Sequence, residues 1–455
     1  MTDSDTPNTE NKANKKDKRF KATTPAKRFM KLAGMSASIA KNYANHKVKG
    51  IFADEAEKKQ SEEQLYADIG KRIAQTLGEM KGAVMKVGQI ASQVKDLLPK
   101  EVAEALEVLQ KESPPMPYDM IRRQVIKSLG DDPENLFANF EHEPFAAASI
   151  GQVHKATTKD GEECVVKIQY PGVKESCESD LKHLRRALKL AGLMKVSDEI
   201  IDETFNEIRR TLYEELDYEH EAENAKFFYE YYKDHPKIET PQIIESLSTD
   251  KILTLTYVGG DSIKEVKAPR YSQETINELG MLIFETIGRQ IYQLKRVHSD
   301  PHPGNFAFRP DGTLVIYDFG AVKSINEEVL HKYRALAADA LAGKAETIDQ
   351  HLTDIGVRIP QSGAIGTEYY QEWLDIILEP FGNYEPYNFA NARIHKLAAK
   401  KVRKEAFKYL GYFQPSPDTM QVDRVISGHY WTMVELGVEA AFRPLIDEIV
   451  LQKSA

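Results

Sequence analysis

The sequence predicts an α+β protein of two lobes: a small strand-rich unit, a glycine joint, then a larger helical unit. Three observations carry this reading. "SIGQVHKA" (149–156) and "CVVKIQY" (164–170) are strand-like, and Asp160-Gly161 stands where a tight turn would join them. "KILTLTYV" (251–258) adds another strand, and Gly259-Gly260 follows at once. Beyond it, in "SQETINELGMLIFETIGRQIYQL", Ile276, Leu279, Ile283, Ile287 and Leu294 fall on one helix face with Ser272 as its cap.

The bulk numbers suit such a plan. A chain of 455 residues can build two or three cores, and 41% hydrophobic with 29% charged residues is ordinary for a soluble globular protein. A net charge of -9 argues against general nucleic-acid binding. Cys164 and Cys177, without a secretory signal pattern, point to a reducing cytoplasm rather than to a disulfide or a cysteine metal cluster. No uninterrupted apolar window reaches about 18 residues, so no transmembrane helix is expected and any membrane contact would be peripheral.

Residues 1–45 read as a basic, largely disordered tail with a short amphipathic helix. Nine Lys/Arg against one Asp in 12–31 lead into Phe29, Leu32, Met35, Ile39 and Tyr43, spaced three or four apart. That combination suits an anionic membrane surface. The stripe is short, however, and docking on its own protein is the favoured reading. Residues 46–140 form a helical extension. There Leu65, Ile69, Ile73, Leu77, Met80, Val84 and Val87 make one apolar face, and Gly78, Gly82, Lys86, Gln89 and Gln93 make a second stripe. Lys86 and Gln89 project side by side. Pro99 opens the next helix and "PPMP" (114–117) closes the segment. Residues 141–258 are the strand-rich lobe, which includes a long acidic helix over roughly 199–233. Residues 259–455 are the helical lobe.

Chemistry enters with Lys167. Alternation puts it beside Val165 on one strand face, opposite Val166 and Ile168. A lysine buried there needs an anion; Glu221 on the acidic helix and ATP phosphates are the natural partners. In "HSDPHPGNFAFRPDGTLVIYDFG" (298–320), Asp311-Gly312 reads as a hairpin turn, so Asp300, Asn305 and Asp318 gather near one end of a small ribbon. Their oxygens suit Mg²⁺, and Mg²⁺ usually serves phosphates. Asp300 and Asn305 have the D-x-x-x-x-N spacing, and Asp318-Phe319-Gly320 follows a strand, as in protein kinases. Asp300 is then the base or orienting residue, and Asn305 and Asp318 are the metal ligands. Three departures set the chain apart from conventional protein kinases. Ala146, Ala147, Ala148 and Ser149 occupy the place of the Gly-rich nucleotide loop, His298-Ser299 replaces His-Arg, and no A-P-E motif follows Asp318.

With these motifs the sequence resembles the UbiB (AarF) family of atypical kinases. The resemblance rests on Lys86-Val-Gly-Gln89, "AAASIGQVH" (146–154), "VVKIQYPGV" (165–173), "EELDYEHEAEN" (214–224), "HSDPHPGNF" (298–306) and "DFG" (318–320). It implies a protein-kinase-like fold with the N-terminal helical extension over the active site. It also implies gating roles for Lys86 and Gln89, for Glu215 and Asp217 as the E-x-D pair, and for Glu221 as the partner of Lys167. The implied activity is that of an ATP- or ADP-binding, Mg²⁺-dependent kinase or ATPase supporting ubiquinone and related prenyl-lipid synthesis. Prenyl-quinone precursors, an anionic membrane and biosynthetic-complex proteins are the implied partners. A silent nucleotide-binding scaffold and a small-molecule or lipid phosphotransferase remain the alternatives. A transition-metal hydrolase site at His298-x-Asp300-x-His302 is a third reading; Pro301 and Pro303, which make a rigid turn there, weigh against it.

Overall fold

The computed structural model describes residues 25–49, 55–80, 98–105, 115–148, 150–190, 193–194, 197–405, 408–416 and 419–452. The expected disorder of 1–24, and the positions Lys86, Gln89 and Ser149, lie outside the described residues, as do Gly82, Val84, Val87 and Gln93. The chain divides into two compact units. One holds the residues up to Tyr218 together with Ile244–Thr256; the other holds Glu219–Ile243 and the residues from Tyr257 onward.

In chain order the first unit begins with helices α1 (Pro25–Lys49) and α2 (Glu55–Met80). Leu32, Met35 and Ile39 of α1 are buried in the same core as Leu65, Ile69, Ile73 and Leu77 of α2. These three residues of the α1 stripe therefore dock on their own protein and are not available to a membrane, while the side chains of Phe29 and Tyr43 lie outside the described ones. A helical stretch at 100–105 starts on Pro99, whose carbonyl accepts from Val102 and Ala103 N–H. α3 (Tyr118–Leu129) buries Met120, Ile121 and Val125 and stops at Gly130, which takes the left-handed φ of 86°.

The sheet of this unit has five strands: β1 (Asn139–Phe140), β2 (Ala146–Ala147), β3 (Gly151–Thr157), β4 (Glu163–Gln169) and, later in the chain, β6 (Ile252–Thr256). The order is β1-β3-β4-β6, with β2 also paired to β3. The β3–β4 hairpin is antiparallel with Val153 opposite Lys167, and its turn ends on Gly161 at φ 88°. Cys164, Val166 and Ile168 alternate into the core, each contributing on the order of 1.5–3 kcal/mol by burial. Both cysteines are free and buried, and burial pushes each thiol up to about 11.

Helices α4 (Val173–Leu190) and α5 (Asp198–Glu215) complete the first unit, and α6 (Tyr218–Tyr232) leads into the second. The single acidic helix expected over 199–233 is thus two helices. The break has a physical cause: Leu216 is buried, and its carbonyl, freed from the helix ladder, accepts from the Gln169 side-chain amide at 2.9 Å.

In the second unit β5 (Ile238–Glu239) runs parallel to β9 (Leu314–Ile316), which also pairs antiparallel with β8 (Phe306–Phe308). α7 (Gln273–Arg289) buries Ile276, Leu279, Ile283 and Ile287, with Ser272 as the expected cap accepting from Thr275 N–H at 3.1 Å. β7 (Arg296–His298) pairs with β10 (Val322–Ser324), and helices α8 (Glu327–Leu341), α9 (Thr367–Ile377), α10 (Ile394–Glu405) and α11 (Met420–Leu436) follow. No helix among the described residues is long and apolar enough to cross a membrane.

Candidate active site

In the second unit, three backbone connections gather the site residues. β7 and β10 align His298 with Val322, and Ser299 N–H donates to the Ala321 carbonyl at 2.8 Å. Asp300 and Asp318 therefore lie at the same end of one short ribbon. The second connection is the β8–β9 hairpin, turned at Gly312 with φ 84°. The third extends that ladder, with Tyr317 N–H donating to the Asn305 carbonyl at 3.0 Å, so Asn305 faces the residue before Asp318.

The side chains then lock. Asn305 Nδ2 donates to Asp300 Oδ2 at 3.0 Å and to the Asp300 carbonyl at 3.1 Å. The Asp300 carboxylate also receives His302 N–H at 3.3 Å. Asp318 Oδ1 accepts from Gly320 N–H at 2.8 Å, closing an Asx-type turn over Phe319. Glu221 is almost fully buried, and a Cβ placed on Gly320 would lie 3.2 Å from both Glu221 Oε2 and Asp318 Oδ1. Glycine at 320 is what allows those two carboxylates to approach the backbone there. Asn224 Nδ2 donates to the Phe319 carbonyl at 3.2 Å. The Phe319 ring stacks on Phe228 at 4.9 Å and meets the His298 ring edge-on at 6.1 Å.

Lys167 belongs to the first unit. It sits on the half-exposed face of β4 beside Val165, as alternation predicts, and so is less deep than expected; its Nζ lies 5.1 Å from the Tyr218 ring centroid. Ala146 and Ala147 are exposed and form β2, paired with Val153 and Gln152, and Ala148 N–H donates to the Gly151 carbonyl at 3.0 Å. Ala146 and Ala147 are thus extended strand, a conformation that needs no positive φ. Gly151 is required by space: a Cβ would sit 2.3 Å from the Ile168 carbonyl oxygen.

The hydrolase reading of His298, Asp300 and His302 fails. His298 is fully buried among aromatic rings, and His302 Nδ1 is spent accepting Gly304 N–H at 3.0 Å. Among the described residues no cluster of three His, Cys, Asp or Glu could hold a metal ion. A hard cation at Asn305 and Asp318 would draw on amide and carboxylate oxygens and on ligands from outside the protein, as Mg²⁺ does with phosphates.

A family model for the ABC1 atypical kinase-like domain matches residues 108–352, over half of the chain. The chain belongs to the ABC1 family, the UbiB/AarF group. This ABC1 chain is 30% identical to the atypical kinase coq-8 of Caenorhabditis elegans over 83% of its own length and 50% of that protein's. Against the mitochondrial atypical kinase COQ8 of Saccharomyces cerevisiae it is 37% identical over 58% of its own length and 53% of the relative's. The chain thus spans about half the length of these curated relatives. Among solved structures, the Rv3197–erythromycin complex from Mycobacterium tuberculosis superposes with a TM-score of 0.59 at 27% identity, covering 86% of this chain and 96% of that one. The α+β, kinase-like fold is that of the family.

In the ABC1 chain Glu215 ends α5 and Asp217 lies in the break before α6, rather than on a continuous helix face. Only residues 321–326 separate Gly320 from α8. Several residues that hold the site had no signal in the sequence. Gln290 Oε1 accepts His298 N–H at 3.0 Å, from the end of α7. Gln152, fully buried, accepts Met116 N–H at 2.9 Å through Oε1. Asn224 lies within a quoted family motif, yet nothing in that motif's spacing pairs it with Phe319.

Proposed function

We propose that this protein is an atypical kinase or ATPase that uses Mg-ATP and supports prenyl-quinone lipid synthesis, with ubiquinone as the representative product class. The observation that carries the reading is the bond from Asn305 Nδ2 to the Asp300 carboxylate beside the Asp318 turn. With its nitrogen turned to Asp300, the Asn305 amide presents Oδ1 as its ligand atom. Asn305 and Asp318 would hold Mg²⁺, which when bound offsets charge on the phosphates. Asp300, aligned by Asn305, orients or deprotonates the attacking group. Lys167 contacts the α- and β-phosphates, Glu221 supports that lysine, and Ala146, Ala147, Ala148 and Ser149 border the nucleotide. Lys86, Gln89, Glu215 and Asp217 act as gating residues in this reading.

The short span between Gly320 and α8 supports a small-molecule or water acceptor over a peptide, since a peptide needs a long activation segment as platform. The lipid context rests on kinship with proteins named COQ8, and so does location at a membrane surface, by contact rather than crossing. Several of those relatives carry "mitochondrial" in their names, so placement in the cytoplasm is also part of the proposal. The test is Mg²⁺-dependent phosphate release from ATP by the purified protein, with and without anionic liposomes and quinone-precursor mimics. Release that needs Mg²⁺ and is lost in Asp318→Asn supports the reading. Mg-ATP binding without any release would identify a scaffold instead.

A further inference from the structure

The loop bearing Asp300 and Asn305 rests on α11, a helix outside the residues matched to the family domain. Gly428 of α11 receives Pro301: a Cβ at 428 would lie 2.1 Å from Pro301 Cγ and 2.3 Å from its Cβ. The next residue, His429, is buried and meets Phe306 edge-on at 5.4 Å, while His298 packs on the same ring at 5.8 Å. The two histidines and Phe306 thus bracket the loop at both of its ends. None of the four imidazole nitrogens has a hydrogen-bond partner among the described residues, so packing alone holds His429 in place.

α11 is itself anchored at both ends. Near its start Asp423 accepts from Tyr333 of α8 at 2.8 Å. At its end the Gly437 carbonyl accepts from Gln273 of α7 at 3.0 Å, and Val438 fills the space that a Cβ on Gly280 would need. A helix tied at both ends makes a fixed shelf rather than a mobile neighbour.

We propose that α11 is the seat of the catalytic loop, with Gly428 and His429 as positioning residues that set Asp300 and Asn305 without touching substrate. The turnover readout rests on the kinase/ATPase reading above; the exchange readout below does not. The experiment compares Gly428→Ala, Pro301→Gly and the double variant with the parent, in full-length protein. Gly428→Ala should lower kcat for Mg-ATP about tenfold or more with KM nearly unchanged. In the Pro301→Gly background the same substitution should cost less than about twofold, because the ring it strikes is gone. An equal penalty in both backgrounds, or parental turnover in Gly428→Ala, overturns the proposal. His429→Phe, which keeps the ring, should retain most of the turnover that His429→Ala loses; equal losses would overturn the packing role.

If the parent releases no phosphate, the functional reading fails and the seat is judged by amide hydrogen exchange. Gly428→Ala should then speed exchange across 298–306 and leave α7 as in the parent, and the double variant should match Pro301→Gly. Unchanged exchange at 298–306 in Gly428→Ala would end the proposal.

Discussion

The β3–β4 hairpin and the 298–306 loop each carry a residue of the proposed phosphate chemistry, and they are held in opposite ways. In the hairpin, Lys167 is placed by local rules: alternation chooses its face, Gly161 sets the turn, and Val153 lies directly across. In the loop, Asp300 is placed by supports from several separate segments, namely Gln290 just before it, the Phe319 ring and Ala321 beyond the next hairpin, and Gly428 more than a hundred residues on. A local frame tolerates change beyond it, whereas a frame assembled from distant parts transmits change at any of them. Substitutions in the loop and its supports should therefore reduce the chemical step, and substitutions in the hairpin should act on nucleotide affinity or on stability.

The largest difference is expected between Asp300→Asn and Lys167→Met. The first should lower kcat about a hundredfold or more while nucleotide still binds; the second should act mainly on KM. Steady-state kinetics on both variants would break the comparison if the two profiles coincided. Gly151→Ala comes next. Its Cβ would strike the Ile168 carbonyl inside the ladder, and a loss of about 2–3 kcal/mol in urea unfolding is expected, with no such loss for Ala substituted at exposed Lys159.

A pH series sharpens the contrast through two buried histidines. His154 in β3 is bonded through Nδ1 to the Glu141 carbonyl at 2.7 Å, whereas neither His429 nitrogen has a hydrogen-bond partner among the described residues, and His298 and Asp300 are its titratable neighbours. Burial lowers both, and carries His429 down to about 3. The unfolded chain then takes up the proton first. Stability from a neutral buried His429 is complete above about pH 6.5 and is lost as pH falls toward 3. His429→Phe should flatten that acid slope by up to about 1.4 kcal/mol per pH unit. A slope unchanged by the substitution would show that His429 does not titrate as a buried neutral group.

The smallest effect is expected at the alanine segment. Ala146→Gly in exposed β2 should change nucleotide affinity about two- to fivefold, because glycine loosens the strand by roughly 0.5–1 kcal/mol. Identical affinity would leave β2 without a role in nucleotide binding.

Much of this was legible in the residues. The hairpin faces, the Ser272 cap, the Asp311-Gly312 turn and the Asp300–Asn305–Asp318 grouping follow from period, turn chemistry and spacing. The break at Leu216 did not, because Leu216 continues the helical pattern and only the Gln169 amide, 47 positions earlier in the chain, favours releasing its carbonyl. The α11 seat was equally hidden. "SGHYW" (427–431) reads as an unremarkable helical stretch, and the demand for glycine at 428 comes from Pro301, more than a hundred residues away. Sequence period records what a segment does to itself; it does not record which distant side chain rests on it.

The most direct test of the central claim is a calorimetric titration of ATP into the parent and into Asp318→Asn, each with and without Mg²⁺. The account expects Mg²⁺ to strengthen binding to the parent by about tenfold or more, and expects that gain to vanish in the variant. The same Mg²⁺ dependence in both proteins would contradict it.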